Sequence, residues 1–156
     1  MEIYAYVDDN KNLFFAFSKD EIPNTFLSKR IEIDSLDYLK YVKYDAEQNE
    51  IIYQRPTTEQ LLDERKEEVI SNLKKSIKSY FEKTDYVIMK IYEAKIMGDE
   101  DLENELRERY SSVLQERYNV RDEYEELLER VRNARSRSEL ASLETRVNTF
   151  IERINS

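Results

Sequence analysis

The chain has 156 residues, 38% of them charged and 40% hydrophobic, so it has the length of one domain and enough apolar side chains to fold beneath a densely ionic surface. It contains no His, Cys or Trp and a single glycine, Gly98, which removes Ser-His and Cys-His catalysis, zinc sites, disulfides and glycine-rich phosphate loops. The formal net charge of -9 is spread along the chain, with 7 basic and 11 acidic residues in 1–55 and 18 and 23 in 56–156; such a balance repels polyanions and makes a nucleic-acid partner unlikely.

Residues 1–55 hold the strand-like runs. Ile3, Ala5 and Val7 alternate with Tyr4 and Tyr6, Asp8 to Asn12 carry turn chemistry, and Leu13, Phe15 and Phe17 alternate with Phe14 and Ala16. This pattern predicts a β-hairpin. Pro23 interrupts, Leu27 to Ile33 resumes the pattern, and Val42 to Tyr44 and Glu50 to Tyr53 flank the polar turn Asp45 to Asn49. Four or five strands in one twisted antiparallel sheet are expected. The start of the chain does not resemble a signal peptide, and no apolar run approaches the ~20 residues of a membrane span; a cytoplasmic protein without a membrane partner is expected.

After Pro56 the composition turns to Glu, Lys, Arg, Leu and Ile, and Thr57 with Gln60 forms a capping-box start. The seam Ile70, Leu73, Ile77, Tyr80, Thr84, Val87, Ile91, Ala94 alternates steps of 3 and 4, as does Leu106, Tyr110, Val113, Arg117, Val120, Tyr124, Leu127, Val131, Ala134. Gly98 stands between them where a helix C-cap needs positive φ. Helices over 57–97 and 100–134 are therefore predicted to form an antiparallel hairpin, placing Ala94 near Leu102, Ile91 near Leu106, Ile77 near Val120 and Ile70 near Leu127. Ser136 with Glu139 caps a third helix, 137–155, carrying Leu140, Leu143, Val147, Phe150 and Ile154. It is expected to return along the base half toward the β region, leaving two helices at the Gly98 tip, where a second copy or a partner would touch. The expected fold is α+β, with a small β module (1–55) followed by a helical hairpin and third helix (56–156).

Arg117 breaks its seam. A charge there is costly unless paired, and the register brings it to Asp85, with Thr84 and Tyr80 supplying further hydrogen-bond capacity. The carboxylates Asp8, Asp9, Asp20 and Glu21 fall in turns, where solvated side chains outweigh a metal or acid-base role. Arg130, Arg132, Arg135 and Arg137 complement a helix C-terminus, and Lys74, Lys75, Lys78 and Lys83 read as a solvated helix face. The hairpin is thus expected to expose charge and to satisfy its apolar seam internally. The β region carries more aromatic side chains than one face can bury, so Tyr4, Tyr6, Phe14 and Tyr53 are the candidate partner-binding residues.

The run Phe81 to Lys90 (FEKTDYVIMK), with Gln115 to Arg121 (QERYNVR) on the returning helix, resembles the C-terminal hairpin of small phage tail proteins, including tail-fibre assembly chaperone-like and tail accessory proteins. The passage Lys43-Tyr44-Asp45, then Glu50-Ile51 and Pro56-Thr57, is similar to the segment that joins their β part to the hairpin. The likeness covers roughly residues 40–125. It implies a non-enzymatic protein without cofactor that binds a tail fibre or receptor-binding protein, as assembly chaperone or virion connector, in the bacterial host cytoplasm or in the tail. An acidic inhibitor of a bacterial defence complex is the alternative, and a carboxylate-based metal enzyme a distant third.

Overall fold

Strict alternation in the first strand, β1 (Glu2–Val7), sends Ile3, Ala5 and Val7 to a buried face and leaves Tyr4 and Tyr6 on the other. The computed structural model describes residues 1–156. Its β1 is the centre of a three-stranded antiparallel sheet ordered β2-β1-β3, with β2 at Leu13–Ala16 and β3 at Leu27–Glu32. The turn after β1 closes on Asp8, whose Oδ1 accepts from the backbone N–H of Asn10 (3.0 Å) and Asn12 (2.9 Å), while Lys11 takes φ 67°. Strands β4 (Val42–Asp45) and β5 (Glu50–Tyr53) form a hairpin of their own, closed through Asn49 at φ 49°.

Five strands are present, as expected, but in two sheets rather than one. The reason lies in the connection after β3: Leu36–Tyr41 forms a 3₁₀ helix capped by Ser35, which redirects the chain before β4 begins. The apolar face of the second hairpin, Val42 and Ile51 with Tyr44 and Tyr53 beside them, then packs against Ile3, Ala5, Val7, Ile31 and Ile33 of the first sheet. Tyr38 and Leu39 of the 3₁₀ helix add to this core.

The helical part opens with the capping box: Gln60 N–H donates to Thr57 Oγ1 (3.1 Å) and Thr57 N–H to Gln60 Oε1 (2.8 Å). Helix α1 runs Thr58–Ile96, about 58 Å at 1.5 Å per residue. It ends in a Schellman arrangement, with Gly98 N–H on Lys95 O and Asp99 N–H on Ala94 O, and Gly98 at φ +71°. Asp99 then caps α2 (Glu100–Arg109). The returning helix is not continuous, contrary to expectation: Tyr110 (φ -103°, ψ 17°) separates α2 from α3 (Ser111–Asn133), ahead of the weak helix formers Ser111 and Ser112. The 3–4 spacing of the seam passes through this break without a phase change, so periodicity does not report it.

Helix α4 (Arg137–Asn155) is capped by Ser136 Oγ. Arg65 of α1 pairs with Glu144 near its beginning and Glu123 of α3 with Arg153 near its end. It therefore runs parallel to α1 and antiparallel to α3, and its end points away from the start of α1 rather than toward it. The large core of this part joins Val69, Leu73, Ile77 and Tyr80 of α1, Val120, Leu127 and Val131 of α3, and the five expected residues of α4. Val69 is buried and Ile70 only half buried, since α4 widens the face that α1 must cover. A second core, Val87, Ile91, Ala94 and Leu106 with Tyr110, Val113 and Leu114, fills the tip. Leu102 is exposed rather than packed beneath Ala94.

The residues divide into two compact units, Met1–Leu61 and Leu62–Ser156, a division inside the first turn of α1 rather than at residue 55. A Cβ at Gly98 would meet nothing within 4 Å, so Gly98→Ala carries only the conformational cost of the left-handed region. Urea denaturation should show a loss of about 1 kcal/mol, and about half as much for Gly98→Asn.

Candidate functional site

Two places in the chain combine unusual chemistry with position: the polar interruption of the helical seam, and the aromatic outer face of the first sheet. In the seam, Arg117 of α3 is the buried charge of the molecule, with 9% of its surface exposed. Its Nη1 donates to Phe81 O (3.2 Å) and to Thr84 Oγ1, and its Nη2 donates to Asp85 Oδ1 (3.0 Å). The Thr84 hydroxyl is oriented for this by donating back to the Tyr80 and Phe81 carbonyls. The guanidinium lies 4.7 Å from the Phe81 ring centroid, with that of Arg121 at 5.0 Å. Thr84, Asp85 and Arg117 are thus brought together as the register requires.

The carbonyl of Tyr80 belongs to that network, accepting from Thr84, but its side chain does not. It is buried in the core, and its hydroxyl, near the Glu116 carboxylate, meets no acceptor in good hydrogen-bond geometry. Burial, and secondarily the nearby Glu116 carboxylate, raises its pKa above the usual tyrosine range. The folded state therefore favours the protonated phenol, and its contribution to stability is complete below pH ~10 and declines as pH climbs toward the raised value.

On the first sheet, cross-strand partners share a face: Tyr6 lies opposite Phe14 and Ser28, and Tyr4 opposite Ala16 and Arg30. The Tyr6 ring sits 5.7 Å from Phe14 and stacks at 6.2 Å on Phe26, forming a cross-strand row. Phe14 is 44% exposed, and Tyr4 and Tyr6 are half buried. The Tyr4 hydroxyl donates to Glu2 Oε1 (3.0 Å), a bond that, with lesser contributions, raises its pKa. Tyr53 does not join them. It lies opposite Val42 on the inward face of β5 and packs on the core, where burial raises its pKa. Strand parity decides this: the one position in the aromatic set taken from the second hairpin falls on the opposite side of the layer.

Of the four acidic residues expected in turns, Asp8 accepts backbone N–H groups as described, and Asp20 and Glu21 lie in a short 3₁₀ helix, Lys19–Glu21; no group of three or more acidic residues is arranged to hold a metal. Arg130 pairs with Glu126 (3.0 Å) and, with Arg146 and Glu139, lines an open groove of about 630 Å³ between α3 and α4. No protein-family model, curated protein or solved structure matches this chain.

The outside of the hairpin tip also carries apolar side chains. Ile88, Met89, Tyr92, Ile96 and Met97 are exposed there, so the outer face of α1 mixes a group of apolar side chains with the charged ones expected. The signal is legible in the sequence as a second 3–4 series beside the seam, Ile88/Met89, Tyr92, Ile96.

Two outcomes test the polar network. Arg117→Leu restores an apolar side chain between the two cores and should be at least as stable as the parent, whereas Asp85→Ala should cost about 1 kcal/mol, a modest loss because Asp85 is half in water and Arg117 retains two acceptors. The reverse order in urea denaturation contradicts the assignment. Tyr80→Phe removes an unpaired buried hydroxyl and should be neutral to about 1 kcal/mol stabilising, with a shallower fall in stability above pH ~10.

Proposed function

We propose that the protein is a non-enzymatic phage tail protein that binds a tail fibre or receptor-binding protein through the outer face of its first sheet, as an assembly chaperone or a connector kept in the tail. It would work in the bacterial host cytoplasm or in the particle. The observation that supports this reading is the row Phe14, Tyr6, Phe26, with Tyr4 beside it, standing on the face of the sheet opposite the core. Rigid aromatic side chains bring large contact area at small entropic cost, and two or three of them buried on a partner supply a few kcal/mol at roughly 25 cal/mol per Å² before association costs are subtracted. The resemblance of residues 40–125 to small phage tail proteins supplies the kind of partner. Tyr53 is left out of the binding set because it lies half buried against the core on the inward face of β5.

Co-expression with a tail-fibre protein from the same genome, scored by soluble trimeric fibre and co-purification, tests the reading. The paired change Tyr6→Ala with Phe14→Ser should abolish both readouts and leave the protein folded, since neither side chain belongs to a core. Fibre that is equally soluble without this protein overturns the chaperone role. Absence of the protein from purified particles overturns the connector role, and failure of both leaves the defence-complex inhibitor as the better account.

A further inference from the structure

We infer that the hairpin tip is a homodimerisation surface, in which α1 of one copy crosses α1 of a second copy at Tyr92. The outer face of α1 changes character along its length. Beside the three-helix core it is polar, with Ser71, Lys74, Lys75 and Lys78 all exposed. Beyond Tyr80, the last α1 residue buried in that core, Ile88, Met89, Tyr92, Ile96 and Met97 stand in water, with exposed Glu93 between Met89 and Met97 and Lys90 and Lys95 at the margins. The apolar face thus begins where the chain stops supplying a third helix of its own.

At exposures of 41, 69, 62, 66 and 72%, these side chains present on the order of 600 Å², the top of the range that a monomer leaves bare and most of the ~800 Å² per partner in a standard interface. The order of residues selects a second copy as the occupant. Ile88, Tyr92 and Ile96 form one i±4 ridge without a charge in it, and the ridge reads Ile, Tyr, Ile in both directions. A two-fold axis through Tyr92 sets Ile88 of each copy against Ile96 of the other and the two Tyr92 rings against each other, the self-complementarity that an isologous contact needs. Packing such ridges into one another gives the commonest helix crossing, near -50°.

This inference is independent of the proposed partner of the β module. Sedimentation equilibrium of the full chain should give twice 18.9 kDa. Tyr92→Glu and Ile96→Glu should each raise the dimer dissociation constant roughly a hundredfold or more, because every dimer would bury two unpaired carboxylates. Both positions are exposed in the single chain, so helical content should be unchanged. Ile52→Glu, at an exposed apolar site in the β unit, should leave the dimer intact. A wild-type monomer at about 100 μM, where even a weak interface assembles, a trimer, or a dimer that survives both tip substitutions would overturn the inference, as would a dimer lost equally in Ile52→Glu.

Discussion

An apolar stripe has to be covered, and in the helical unit the supply of covering helices runs out part-way along. Helix α4 is only 19 residues long, against 39 for α1. Its five buried side chains close a core that reaches Tyr80 and Val120. Beyond that level two helices remain, and a two-helix arrangement buries one stripe on each and no more. The division into two cores, the bare apolar ridge on the outside of the tip and the break at Tyr110 all fall on the tip side of this limit.

Arg117 sits at the boundary. It occupies the seam position between Val113 and Val120, so the large core ends on one side of it and the tip core begins on the other. Desolvating a guanidinium is expensive, and the site offsets that cost with a carbonyl, a hydroxyl and a half-solvated carboxylate, all from one turn of α1. The contribution is to register more than to stability. Three acceptors spaced over Phe81, Thr84 and Asp85 reinforce, far from the turn, the one alignment that the short reversal at Gly98 sets between two long helices with repeating apolar seams. The same group interrupts the continuity of the apolar interior, leaving the tip and the base with separate cores.

Much of this was legible in the residues. Periodicity located the long helices and their reversal, because Gly98 is the one glycine and stands where the seam resets. The misplaced arginine named its own partner, since Asp85 lies at the matching register. Two kinds of feature were not legible. The two sheets depend on a 3₁₀ helix at Leu36–Tyr41, a segment with no strand alternation and too short for a 3.6-residue period to be read, and this in turn hid the packing of Tyr53 against the core. The interruption at Tyr110 preserves the spacing of the seam, so a period-based reading passes over it. The apolar ridge at the tip was present in the sequence but masked, because a seam that explains most apolar residues of a helix draws attention from those it leaves outside.

The β unit and the hairpin tip show the same asymmetry at different scales, one apolar or aromatic face satisfied within the chain and one left outward. For the helical unit the claim is that coverage, not sequence propensity, sets local stability. Native-state hydrogen exchange measured over a range of protein concentrations tests it most directly. Amides around Val87, Ile91 and Leu106 should exchange through a local opening of lower free energy than those around Leu73, Leu127 and Val147, and their protection alone should rise with concentration as the second copy covers the tip. Equal protection of tip and base, unchanged across concentrations, would contradict the account.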